Sequence, residues 1–148
     1  GQDGVLDAVL HALAPRCERL LASDGAAAAL DAARKSLSPA LADAVRFEQR
    51  TLPNDWPDGE TFDLIVISEL AYYFPLPEAA ALLARAAASL APDGELAMCH
   101  YLHDFDDRAC GTEALHRTAG HMPGLRRSLV HRDQDFVLET WTAHGGRP

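Results

Sequence analysis

A chain of 148 residues with 48% apolar content is long enough for one globular domain with a single core. Its formal net charge of -9 argues against a nucleic-acid backbone or an anionic membrane as the main partner. Cys17, Cys99 and Cys110 make an odd count with no CxxC pair, which argues against a disulfide framework and fits a reducing cytoplasm. The opening GQDGVLDAVL has no basic leader and no apolar run could cross a bilayer, so neither a signal peptide nor a membrane span is expected.

In chain order, Val5, Leu6, Val9, Leu10 and Leu13 recur at helical spacing and predict a helix over Val5–Ala14, ended by Pro15. RLLASD (Arg19–Asp24) is a short apolar run closed by an acid, the pattern of a buried parallel strand. Gly25 then opens an alanine-rich helix to Leu37, and Pro39 begins a short helical or irregular link. VRFEQRTL (Val45–Leu52) alternates like a strand, and PNDWPDGE is a loop by its prolines and glycine. Phe62–Ile67 is a continuous apolar strand that runs into Ser68, Glu69, Tyr72 and Tyr73.

Pro75 and Pro77 open a helix over Glu78–Leu90, with an acid in its first turn. APDG is expected to break the chain before a buried strand, ELAMCHY (Glu95–Tyr101). A polar stretch follows, most helical over Glu113–Ala119. Arg127–His131 and Phe136–Thr142, separated by a tight polar turn, predict an antiparallel hairpin, and HGGRP reads as a frayed end. Helices alternating with apolar strands predict a parallel sheet with covering helices, whose ligands bind at the carboxyl ends of the strands. Asp24, Thr51, Ser68 and His100 each end such a strand and are expected along one sheet edge.

This order of motifs resembles the class I S-adenosylmethionine-dependent methyltransferases, most closely the nodulation-type N-methyltransferase (NodS-like) group. The matching residues are LAPRCERLLASD (Leu13–Asp24), AALDAAR (Ala28–Arg34), WPDGETFDLIVISELAYYF (Trp56–Phe74), LAPDGELAMCHY (Leu90–Tyr101) and DFVLETW (Asp135–Trp141). FDLIVISELAYYF followed by LAPDGEL is the most specific part. The resemblance implies an α/β fold: a Rossmann-like methyltransferase sheet, mostly parallel with a C-terminal antiparallel hairpin and helices on both faces. It also implies a single domain over 1–148, S-adenosyl-L-methionine as cofactor, and methyl transfer to a small-molecule acceptor, an amine. The family's sheet begins with a central strand of the type VLELGCGxG. Only GQDG precedes the first helix here, so the domain reads as N-terminally incomplete, with an upstream segment expected to supply that strand.

Site residues follow from the same resemblance. Gly4 matches the last loop glycine, beside the cofactor's methionine portion. Asp24, followed by Gly25, can accept hydrogen bonds from the vicinal ribose hydroxyls, or cap the helix that follows. Backbone groups of Thr51 and Leu52 lie beside the adenine, or Arg50–Leu52 is an ordinary strand end with Arg50 in solvent. Ser68 and Glu69 flank the transferred methyl group. Glu69 can hold or deprotonate an amine, or its carboxylate is satisfied by backbone donors and fixes the turn. Tyr72 and Tyr73 can wall the methyl pocket, or one of them packs beneath the next helix. His100 is a candidate base near neutral pH, or a hydrogen-bonded strand-end residue.

The histidines and acids of the polar stretch match no metal-ligand spacing, so no metal is expected, and Cys99 reads as a buried thiol. The reaction implied is in-line attack on a sulfonium methyl, for which the protein supplies proximity and a dry, aligned pocket. Two other readings stand beside it. The distance from Gly4 to Asp24 suits a nicotinamide-dependent oxidoreductase, although GQDG is not GxGxxG and the hairpin fits a methyltransferase better. A degenerate methyltransferase-like domain that only binds a partner is the other.

Overall fold

The computed structural model describes residues 2–144, so most of the segment read as a frayed end, from Gly145 on, lies outside the described residues. The chain divides into two compact units, Gly1–Asp55 and Trp56–Pro148.

The first unit holds helix α1 (Gln2–Leu13), strand β1 (Leu20–Asp24), helices α2 (Ala27–Ser36) and α3 (Pro39–Ala42), and strand β2 (Val45–Gln49). Pro15 sits in a 3-10 turn, Ala14–Arg16, directly after α1, because a proline can begin a helical turn but cannot continue one. Ser38 starts α3 by accepting from the Leu41 N–H, with Pro39 in the first helical position. β1 and β2 pair in parallel, Leu20 opposite Val45 and Asp24 opposite Gln49. The core of this unit is small and aliphatic: Leu10, Ala14, Ala22, Ala33, Leu37 and Val45 are buried, with Leu6, Leu20 and Phe47 packed against them.

The second unit holds β3 (Phe62–Ser68), α4 (Leu76–Ala88), β4 (Leu90–Tyr101), α5 (Thr112–Gly120), β5 (Leu125–Arg132) and β6 (Phe136–Ala143). Its sheet has the order β3-β4-β6-β5. β3 and β4 are parallel, as the intervening helix α4 requires, and the closing hairpin is antiparallel. Ala79, Leu82, Leu83 and Ala86 recur at helical spacing and form the buried face of α4. Leu96 and Met98 from β4, Val137 and Trp141 from β6, and Leu115 and Ala119 from α5 are buried too.

The expected break at APDG is instead an irregularity inside one long strand. The register steps from Phe62 opposite Leu90 to Leu64 opposite Glu95, and Asp93 takes a φ of 65° to make the step. The strand survives because both sides of the irregularity remain paired to β3. Gly94 is required there by space: a Cβ would lie 2.8 Å from the Ala91 carbonyl oxygen and 3.0 Å from that of Phe62.

Among the described residues, β1 is laddered to β2 in the first unit, and β3 to β4 in the second. Leu64, in β3, is 39% exposed. No described helix is long and apolar enough to cross a membrane.

Gly94→Ala is expected to lower stability by about 1–3 kcal/mol, the usual cost of forcing atoms into a packed backbone. It should appear as a lower urea midpoint with an unchanged m-value. Gly120→Ala, whose Cβ would meet only the Trp141 Nε1 at 3.7 Å, is the control and should be neutral or stabilising.

Candidate active site

In the first unit the parallel register brings Asp24 and Gln49 to the same carboxyl end. Asp24 is half-buried, and its Oδ1 accepts from the Ala26 N–H at 2.8 Å, so the helix-capping role is present. Its Oδ2 carries no hydrogen bond among the described residues and remains available to a hydroxyl. Gln49 Nε2 donates to the Gly25 carbonyl at 3.0 Å, which fixes the turn that follows Asp24. Thr51 is exposed and Leu52 half-buried, just past the end of β2. Arg50 is not a solvent-facing side chain. Its guanidinium bridges Glu48 and Asp55, the latter at 3.1 Å. Gly4 lies in the first turn of α1, so its backbone is helical.

In the second unit Ser68 closes β3 opposite Cys99, and Glu69 follows with a φ of 54°. That left-handed conformation costs a non-glycine residue about 1–2 kcal/mol. Two bonds to β4 hold it. The Glu69 N–H donates to the Cys99 carbonyl at 2.9 Å, and Glu69 Oε1 accepts from the Tyr101 N–H at 2.8 Å. The carboxylate thus fixes the turn.

Tyr72 is buried, with its ring 4.8 Å from His100 and 4.9 Å from Phe105, while Tyr73 is half-buried beside it at 5.3 Å. Burial, and then the Glu69 carboxylate at its hydroxyl, push the Tyr72 phenol well above its ordinary range, so it stays protonated. Cys99 is half-buried and not fully buried as expected; burial and then Glu69 raise its thiol.

His100 corrects the expectation of an accessible base. It is completely buried, and both ring nitrogens are engaged within the protein. Nε2 accepts from the Ala71 N–H at 3.3 Å, and Nδ1 lies 2.9 Å from His116 Nε2. Burial, then His116, then Arg108 hold it well below the ordinary histidine range, so it is neutral at physiological pH. A ring so placed positions other groups and does not meet substrate.

Arg108 and Glu139 of this site escaped the sequence reading, and His116 entered it only among the histidines and acids weighed as metal ligands. The Arg108 side chain is 9% exposed and stacks 4.8 Å over Tyr72 and 4.7 Å over Phe105. It donates to the carbonyls of Tyr101 and Cys110, each at 3.0 Å, to the His103 carbonyl, and to Thr112 Oγ1 at 2.9 Å. It thereby ties residues 101–112 to the aromatic cluster. His116 and Glu139 stand at buried-face positions of α5 and β6, joined at 2.9 Å. A polar residue within an otherwise apolar period is the signal that could have found each of these two, and it was not used. Among the described residues, no three His, Cys, Asp or Glu side chains converge as a metal site.

The half-buried carboxylate of Asp24, with an oxygen to spare at a strand's carboxyl end, fits the ribose of a nucleoside cofactor. Residues 7–94 match the family model described as a methyltransferase domain. The crystal structure of a Pseudomonas syringae protein assigned to the methyltransferases is 33% identical, covering 92% of this chain and 80% of its own, with a TM-score of 0.76. The N-methyltransferase NodS from Bradyrhizobium japonicum WM9, in complex with S-adenosyl-L-homocysteine, is 22% identical, covering 93% of this chain and 73% of its own, with a TM-score of 0.76. No protein of curated function matches the chain. The match over both units and the α/β order with its closing hairpin agree: the chain belongs to the methyltransferase domain family, and it is a class I S-adenosylmethionine-dependent methyltransferase with the Rossmann-like fold.

Proposed function

We propose that this methyltransferase is a NodS-like enzyme that methylates the nitrogen of a small-molecule amine, working in the cytoplasm. The observation that carries this reading is the Glu69 carboxylate, half-buried and held at the carboxyl end of β3 by the Tyr101 N–H beside a protonated Tyr72. An amine N–H is a natural partner for such a carboxylate. The fold shared with the Bradyrhizobium N-methyltransferase supports the same class of acceptor.

S-adenosyl-L-methionine supplies, when bound, an electrophilic sulfonium methyl whose leaving sulfur needs no proton. The rest of the work falls to the chain. Asp24 takes the ribose hydroxyls through its open oxygen, beside the turn at Gly25. Thr51 and Leu52 offer backbone groups to the adenine, and Ser68 lines the cofactor side of the β3 turn. Gly4, in the first turn of α1, stands beside the methionine portion in this reading, the place of a last loop glycine at a helix start. Glu69 accepts an N–H of the amine, which aims the nitrogen lone pair, and takes up the proton that the nitrogen releases. Tyr73 borders the acceptor, and the buried Tyr72 packs behind it. His100 acts only through the turn it supports.

We take residues 1–148 as one methyltransferase domain, since the family match runs through both compact units.

Asp24→Ala is expected to weaken S-adenosylhomocysteine binding by about 1.5–3 kcal/mol in calorimetry, the scale of hydrogen bonds to a charged group. An unchanged affinity in a folded variant would reduce Asp24 to a helix cap.

Glu69→Gln separates the two roles of that side chain. The amide oxygen can still accept from the Tyr101 N–H, so the turn should persist and S-adenosylhomocysteine affinity should hold. Methylation of small amines, followed by S-adenosylhomocysteine release, should fall by about 10²–10⁴-fold, the range for a proton-handling group. A rate equal to the parent's would leave Glu69 as a turn-fixing residue alone.

A further inference from the structure

The turn that carries Glu69 and Tyr72 is tied to a buried chain of ring nitrogens whose proton positions are dictated from one end. Ala71 is fully buried, and among the described residues its N–H donates to His100 Nε2, at 3.3 Å. A ring nitrogen that accepts carries no proton, so neutral His100 has its proton on Nδ1. That proton points at His116 Nε2, 2.9 Å away, which must therefore be bare. The proton of His116 then sits on Nδ1, facing Glu139 Oε1 at 2.9 Å. Every donor in the series points the same way, from a backbone N–H to a carboxylate. Arg127 lies 3.4 Å from the other oxygen of Glu139 and steadies its charge.

We propose that His116 and Glu139 are positioning residues for the Glu69–Tyr72 turn, acting through His100, and that acidification releases this hold. The importance of that turn for methyl transfer rests on the reading of Glu69 given above; the relay itself does not. In α5 the buried residues are Thr112, Leu115, His116 and Ala119, and in β6 Glu139 stands between Val137 and Trp141 on the same alternating face. Leucine would fill such positions at less desolvation cost. What histidine and glutamate add there is direction: they allow only one tautomer at His100, the one that accepts from Ala71.

Charge around the relay explains why it stays neutral and how it fails. The groups facing it are Tyr72 from the turn after β3, itself bonded to Glu69, Arg108 from the segment after β4, and Glu113 from α5. Glu139 faces it from β6, and Arg127 and Arg132 from β5. Burial lowers both histidines, while Glu139 and Glu113 favour a charge on His116, so an added proton settles first on His116. Protonated His116 presents an N–H to the N–H of His100. His100 must then shift its own proton to Nε2, against the Ala71 N–H, and the anchor of the turn is lost. Both histidines bind protons more weakly in the folded than in the unfolded chain, where their pKa is about 6.5. Stability contributed by the relay is therefore complete above about pH 6.5 and declines as pH falls below it.

The test is nitrogen-15 NMR of the full chain, with histidine ring shifts and the protection factor of the Ala71 amide followed against pH. At about pH 7.5 both rings should show the Nδ1–H tautomer. In His116→Leu, Ala71 protection should fall at least about tenfold, as expected when a buried donor loses its partner, while the Leu82 amide is unchanged. His116→Gln, whose Oε1 can accept from His100 Nδ1–H, should keep protection within about twofold of the parent. Should His116→Leu fail to fold, Glu139→Leu against Glu139→Gln gives the same comparison. An Nε2–H tautomer at His100 overturns the proposal, as does parental Ala71 protection in whichever leucine variant folds. These readouts need neither cofactor nor acceptor, so their failure is distinct from a failure of Glu69 as the amine site.

Discussion

The chemical end of the second unit depends on how β3 stops. A parallel strand that ends beside a longer neighbour leaves that neighbour's next backbone donor without a ladder partner. β4 runs two residues past the last β3 pair, at Ser68 and Cys99, and the donor in question is the Tyr101 N–H. Glu69 resolves the problem with a single residue. Its own N–H completes the ladder on Cys99, and its carboxylate serves as the acceptor for Tyr101. The left-handed backbone at Glu69 is the geometric consequence, because the main chain must leave the sheet while the side chain stays on it. A carboxylate therefore sits at a strand end for reasons of folding, in the position where this architecture places its ligands.

The same end of the sheet carries an unusual density of buried polar groups, and each is satisfied in a way that fixes a neighbour. Arg108 is nearly buried, and its close contacts are carbonyls, a hydroxyl and two aromatic faces, with Asp104 more distant at 3.6 Å. Guanidinium suits this role because it is planar and has five donors in fixed directions; an ammonium cannot reach four acceptors and stack at once. Residues 101–112 are folded around that fork. Ala109 then donates to the Tyr72 carbonyl at 2.7 Å, which returns the segment to the turn after β3. Turn, aromatic cluster and polar segment are thus joined in one connected network of hydrogen bonds and ring contacts.

Most elements were legible because their periods are strong. The α4 face repeats at helical spacing, β6 alternates, and α2 is alanine-rich, so hydrophobic pattern and local propensity agree. The failures share one cause, which is information held outside the local window. APDG has the composition of a chain break, but pairing with Phe62 and Leu64 keeps it within a strand. Asp24 and Glu69 could be found, because a strand end is a local feature. Whether their carboxylates face donors of the protein or of a ligand is not local; each accepts from a backbone N–H of the protein, Ala26 for Asp24 and Tyr101 for Glu69.

His100 shows that limit most clearly. At a strand end on the functional side of a parallel sheet, a histidine has the address of a general base. Its partner lies sixteen positions away, on a helix formed from the polar stretch, and the partner of that residue lies a further 23 positions along, in a strand. Nothing near His100 in the chain reveals either. Yet the two partners are legible in another sense. His116 occupies a core position of an amphipathic helix, and Glu139 a core position of an alternating strand. Each is costly there without a counterpart, so each implies the existence of the other. A polar residue that breaks an apolar period is thus a better guide to a buried network than a polar residue at a strand end is to catalysis. The chemistry of methyl transfer is consistent with this division of labour. With no proton to deliver to a leaving group, the site has no call for a histidine acid, and the imidazoles are free to hold the backbone in place.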